Sequence, residues 1–164
     1  MKKLLFFVLA SSAMLGAAGA GPDETERAAV VSVIRKCMKN AEKIDFRADG
    51  TARLSAADGT FLGHVRFTKP FAAGSKGFRG PVPVAVFINP QGRIVTVRPL
   101  PNREDARFWR RLLQAALFDS WSGFPVKEAA KLEVDGVTGA TYSSRGVIGS
   151  TRAILRKEEG SDHE

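Results

Sequence analysis

A chain of 164 residues, 44% of them hydrophobic, has the material for one domain with a real core, and its formal net charge is +8. Its basic residues are scattered along the sequence and no aromatics are interleaved with them as stacking platforms, which argues against nucleic acid and leaves a weak attraction to anionic membrane surfaces or acidic partners. With one cysteine (Cys37) and two distant histidines (His64 and His163), the sequence offers no internal disulfide, haem-attachment motif, iron–sulfur ligand set or side-chain metal site, so any redox work falls to a bound organic cofactor.

Residues 1–20 read as a signal peptide. Lys2 and Lys3 form a basic start, Leu4 to Leu15 is apolar apart from Ser11 and Ser12, and Ala18-Gly19-Ala20 offers a small-x-small cleavage site. The apolar run is short for a bilayer span and lacks a stop-transfer flank, so cleavage after Ala20 is expected, with an uncleaved membrane anchor as the alternative. The destination is the periplasm or another extracytoplasmic space. Removing Lys2 and Lys3 leaves 23 basic against 17 acidic residues, or +6, in a mature chain starting at Gly21.

Acidic residues from Asp23 to Glu26 open a helix, and Val31, Ile34, Met38 and Ala41 recur at helical spacing, which predicts an amphipathic helix of about five turns. Cys37 within it reads as an inert, at least partly buried thiol. Asp49-Gly50 and Asp58-Gly59 are turn dipeptides between strand-like segments around Phe46, Ala52 to Leu54 and Phe61 to Phe67. A glycine-rich loop with Gly74, Gly77, Phe78 and Gly80 follows. Pro83 to Ile88 and Ile94 to Arg98 then predict an antiparallel hairpin across Asn89-Pro90-Gln91-Gly92. From Arg103 the period changes, and Trp109, Leu112, Leu113 and Ala116 mark a helix to about Asp119, broken by Trp121-Ser122-Gly123. Lys131 to Val134 reads as a short strand. A last helix carries Val147, Ile148, Ile154 and Leu155, and residues 159–164 read as a polar tail. The sum is an α+β domain over 21–158, an antiparallel sheet packed with N-terminal, central and C-terminal helices.

The stretch from Asp135 to Ser144 concentrates small residues and hydroxyls ahead of that last helix. Gly136, Gly139 and Ala140 permit a tight turn and close approach to the backbone. Thr141, Ser143 and Ser144 sit where hydroxyls cap free N–H groups, and where an anion such as phosphate also binds. Both a capped helix start and a phosphate cradle satisfy these features. The spacing is neither a Walker loop nor a dinucleotide fingerprint.

Asp135-Gly136-Val137-Thr138-Gly139-Ala140-Thr141 resembles the D-x-x-[ST]-G-A-[TS] flavinylation motif of the FMN-binding domain family. That family includes the C and G subunits of sodium-pumping quinone reductases and Rnf complexes, and standalone exported flavoproteins. Its Gly-aromatic-x-Gly-Pro loop, apolar strand and Asn-Pro-x-Gly turn match Gly77 to Pro81, Pro83 to Ile88 and Asn89 to Gly92, and Phe118 to Gly123 resembles its aromatic-x-x-Trp-x-Gly stretch. The resemblance spans about Thr60 to Leu155.

What the resemblance implies is FMN joined through its phosphate to the hydroxyl of Thr141 by a flavin transferase. Gly139 and Ala140 would keep the approach open, and Thr138, Ser143 and Ser144 would hydrogen-bond the phosphate. Asp135 is either a transferase-recognition residue or a turn and capping residue, and Phe78, between Gly77 and Gly80, either lies against the flavin or packs ordinarily. The family's Glu-Thr-Pro-Gly segment, which lines the flavin, is replaced by Pro101-Asn102-Arg103-Glu104-Asp105, which keeps only Glu104, so the resemblance implies flavin contacts from Gly77, Phe78, Gly80 and Glu104. The implied role is an electron carrier between membrane or periplasmic redox proteins. A small flavin-dependent reductase or oxidase, and a binding module of the same fold without flavin, are the alternatives; no acid–base pair in the sequence demands catalysis.

Overall fold

The computed structural model describes residues 23–68 and 73–161; the signal peptide read at 1–20, His163 and the end of the polar tail lie outside them. No helix among the described residues is long and apolar enough to cross a membrane. Helix α1 (Glu24–Cys37) is capped by Asp23, whose carboxylate accepts from Glu26 N at 2.7 Å, and it runs about four turns instead of five. Val30 and Ile34 are its buried positions, so Val30 takes the place expected for Val31. Ala41 is buried just beyond the helix, and Cys37 is partly buried against the same core.

Strands β1 (Lys43–Phe46), β2 (Thr51–Ser55), β3 (Phe61–Phe67), β4 (Val84–Ile88) and β5 (Ile94–Pro99) form one antiparallel sheet in sequence order. Interior strand β4 is buried along its whole length because both of its faces are covered. Ala85 and Phe87 join Val30, Ile34, Leu54 and Val65 under α1, whereas Val84, Val86 and Ile88 join the core beneath the later helices. The alternation of a half-buried strand is therefore absent from β4 but visible in β2, where Ala52 and Leu54 share the α1 face. The β4–β5 turn forms as expected. Gly92 N donates to Asn89 O at 3.0 Å, and Asn89 Oδ1 accepts from Gln91 N and Arg93 N.

The second half of the chain departs from the periodicity in three places. Helix α2 (Ala106–Gln114), capped by Asp105, stops early because Ala116 turns left-handed (φ 51°). That turn, followed by a 3₁₀ turn at Leu117–Asp119, swings Leu117 and Phe118 into the core. A short helix α3 (Val126–Ala129) follows, starting behind Pro125 where a proline suits the helix start. The strand expected at Lys131 to Val134 does not form: Lys131 N and Leu132 N bond back to α3 and the segment has no sheet partner, although Leu132 and Val134 do pack on the core. The start of β5's outer edge is already taken: Ile94 N donates to Phe124 O, and Gly123 N to Ile94 O.

Helix α4 (Thr141–Ser161) lies over the sheet and continues through residues read as the start of a polar tail. Its end is anchored by a charge, since Glu158 is buried and meets the Arg66 guanidinium through Nε and His64 Nε2 at 2.7 Å, both from β3. Burial alone would raise the Glu158 pKa, but the His64 hydrogen bond and the charges of Arg66 and His64 outweigh it and hold the carboxyl below its ordinary value.

Candidate functional site

Three segments distant in sequence meet at the start of α4. The Gly77–Gly80 loop is closed by a hydrogen bond from Gly77 N to Gly80 O at 2.7 Å. Helix α4 lies directly on this loop, because a Cβ on Gly146 would stand 2.9 Å from Gly77 N and 3.0 Å from Gly77 Cα. Farther along, Ser150 Oγ accepts from Ser75 N and donates to Val82 O. The Glu104 carboxylate joins the pieces: it accepts from Phe78 N at 3.1 Å, from Arg79 N at 2.7 Å and from Ser143 Oγ of α4. The glutamate expected beside the ring thus fixes the loop to the helix.

Beside this junction is a pocket of about 260 Å³ lined by Phe78, Phe108, Tyr142 and the chain from Gly139 to Ser143. Phe78 and Phe108 meet edge to face at 5.1 Å between centroids, and Tyr142 lies 6.4 Å from Phe78. Phe78 and Tyr142 remain 52% and 63% exposed, an open aromatic wall of the kind a planar ring can lie against. Thr141 is the first residue of α4, exposed on this pocket, where the first-turn N–H groups have no intrahelical acceptor.

Gly139 holds φ +75°, and any side chain there would overlap the Arg111 guanidinium of α2. The turn therefore brings a permanent cation alongside Gly139-Ala140-Thr141, which together with the helix N-terminus suits a phosphate. Gly139→Ala is expected to cost about 1–2 kcal/mol from the left-handed backbone alone. It should also push Arg111 away, and a lowered thermal midpoint in the purified domain checks the first part.

The hydroxyls of the motif separate in space. Ser144 is fully buried; its Oγ accepts from Val137 N at 3.1 Å and donates to Thr141 O at 3.0 Å. Ser143 is equally buried and gives its hydroxyl to Glu104. Both hydroxyls secure the turn, and Ser143 also lines the aromatic pocket. Thr138, Asp135 and Gly136 line a different hollow, with Leu117, Phe124 and Val134. Of the motif's serines and threonines, Thr141 is the one exposed on the aromatic pocket. Gly77 and Gly80 shape the loop beneath Phe78, while Ala140 is buried with its backbone on the pocket wall.

Phe108, Tyr142 and Arg111 complete the site without having been singled out from the sequence. Tyr142 adjoins Thr141 and was legible as a neighbour; Phe108 and Arg111 share one face of α2 at a spacing of three, which carries no signal until α2 is placed against α4. Among the described residues no group of three His, Cys, Asp or Glu side chains is placed to hold a metal ion.

No curated protein matches the chain. The FMN-binding domain family matches residues 77–156, from the Gly77–Gly80 loop to Arg156 of α4, and so takes in every residue lining the aromatic pocket. Over residues 77–156, the chain is similar to the FMN-binding domain family.

Proposed function

We propose that the protein is an exported electron carrier with FMN esterified through its phosphate to Thr141 Oγ by a flavin transferase. The observation that carries this reading is the exposure of Thr141 on the aromatic pocket, at a helix N-terminus and beside Arg111. Arg111 and the first-turn N–H groups of α4 would balance the phosphate charge, and Gly139 leaves the backbone open on that side. Phe78, Phe108 and Tyr142 would hold the isoalloxazine ring against the loop. Bound flavin supplies one- and two-electron redox chemistry. The protein's own part is to hold the ring at an open edge while Glu104, engaged by three donors, keeps loop and helix in register. A pocket walled by three aromatic rings and backbone favours relay between membrane or periplasmic proteins over turnover of a substrate. Outside the cytoplasm, where a dissociated flavin would be lost, a covalent tether retains it. Asp135, exposed on the neighbouring hollow, is the residue proposed for recognition by the transferase.

Co-expression with a flavin transferase followed by intact-mass measurement tests the attachment. The expected increment is FMN less one water, abolished in Thr141→Ala and kept in Thr138→Ala. An unmodified mass under conditions that flavinylate a control protein would refute it.

A further inference from the structure

We infer that the mouth of the aromatic pocket is a docking surface for an acidic redox protein, an inference that rests on the flavin reading above. Along the sequence the basic residues look scattered, but the segments that build the mouth, 77–80, 103–111 and 139–145, hold Arg79, Arg103, Arg107, Arg110, Arg111 and Arg145. Against these six stand two acids, Glu104 and Asp105, so twenty residues carry +4 of the chain's net +8.

Both acids are engaged. Glu104 holds the loop amides and Ser143, while Asp105 caps α2 through Arg107 N at 2.9 Å and lies 3.8 Å from Arg79 Nη2. A phosphodiester at Thr141 would bring one negative charge, so the mouth stays cationic with the cofactor in place. Amid these charges Phe78 and Tyr142 are more than half exposed. Arg79 lies 5.9 Å from the Phe78 ring, Arg111 stands against Gly139 and Arg145 is exposed one turn beyond Thr141, so exposed aromatics and arginines share this face, the composition of an interface centre.

An anionic membrane would also be attracted to this charge, but a carrier's flavin needs an electron acceptor at this mouth, which favours a redox protein. The chain has 15 arginines and 10 lysines, yet the twenty residues contain no lysine. Arginine's planar fork pairs bidentately with carboxylates, as it does with phosphates, so the acidic side chains of a protein can fill this face. Docking there would bring a partner's redox centre to the open side of the pocket, where electrons must leave.

The test uses the flavinylated full chain, photoreduced and mixed by stopped flow with an acidic c-type cytochrome, a basic one serving as control. Each fully reduced flavin gives two electrons, one to each of two ferric haems, which become ferrous, and its ring protons pass to water. With the acidic cytochrome the second-order rate is expected to fall about tenfold or more between about 10 mM and about 200 mM salt. The double variant Arg107→Glu/Arg145→Glu should lower the low-salt rate by a similar factor, with flavin content and thermal midpoint unchanged. Rates indifferent to salt and to the variant, or a faster basic cytochrome, would overturn the inference. So would salt-indifferent rates together with arginine-dependent co-sedimentation on phosphatidylglycerol vesicles, which would assign the face to a membrane. If no flavin is incorporated, the function proposed above fails. Calorimetric binding of the acidic cytochrome to the flavin-free protein and to the double variant then decides the docking surface by the same salt dependence.

Discussion

Glu158→Ala is expected to lower the unfolding free energy by about 3–5 kcal/mol, the range for removing one partner of a buried ion pair. Glu158 lies near the end of a 21-residue helix, where loss of one side chain would ordinarily matter little. Here the carboxylate meets Arg66, itself 6% exposed, and His64, both on β3. Its removal takes from the buried Arg66 the carboxylate it meets on α4 and frees the last turns of α4 from the sheet. Urea denaturation of both proteins at neutral pH checks the magnitude. Exchange of the amides in the final turns of α4 should rise in the variant more than exchange at its Thr141 end.

The same carboxylate gives the fold a pH dependence of known sign. Because the Glu158 pKa is held below that of an unfolded glutamate, its contribution is complete above the unfolded value and is lost as pH falls through the folded one. Stability should therefore decline as the solution is acidified below about pH 5. Asp49 is also held low, since its hydrogen bonds from Thr51 and the charges of Arg66 and Arg47 outweigh a larger contrary effect of burial. The wild-type slope thus has more than one source, and the flatter slope of Glu158→Gln relative to wild type isolates this one.

Sequence periodicity revealed the sheet because each strand is bounded by turn residues that act locally. Asn89 holds the β4–β5 turn with its own side chain, and Asp58 and Asp49 accept from Thr60 N and Thr51 N in the same way. Where the deciding contact is remote, the sequence is silent. Nothing near Ala116 announces a left-handed residue; the core's demand for Leu117 and Phe118 sets it. Nothing near Lys131 to Val134 tells that Phe124 has already taken the start of β5's outer edge. The charged end of α4 reads as solvated because its anchor, Arg66, lies 92 residues earlier. In the site the difference is sharper. The motif points to Thr141, but three adjacent hydroxyls of the same chemical type become distinct only through burial, with Ser143 and Ser144 turned inward.

Glu104→Ala is expected to cost about 2–4 kcal/mol and to disturb the pocket more than any other single loss of hydrogen bonding there. One side chain supplies the acceptors for two loop amides and for the buried Ser143 hydroxyl, so truncation leaves that hydroxyl without its acceptor and hands the two exposed loop amides to water. Glu104→Gln separates charge from shape. Its carbonyl oxygen, placed as Oε2 is now, would still serve Phe78 N and Ser143, whereas its amide nitrogen would face Arg79 N. Arg79 is exposed, so water can take over that N–H, and the glutamine variant should lose only about 1 kcal/mol. If the carboxylate serves to hold Phe78 over the start of α4, flavin incorporation at Thr141, read by intact mass, should follow the same order: near wild type in Glu104→Gln and strongly reduced in Glu104→Ala. Equal incorporation in both, with the stability difference present, would show that Glu104 supports the fold without setting the pocket. Equal loss in both would instead give the negative charge itself a part in the transfer.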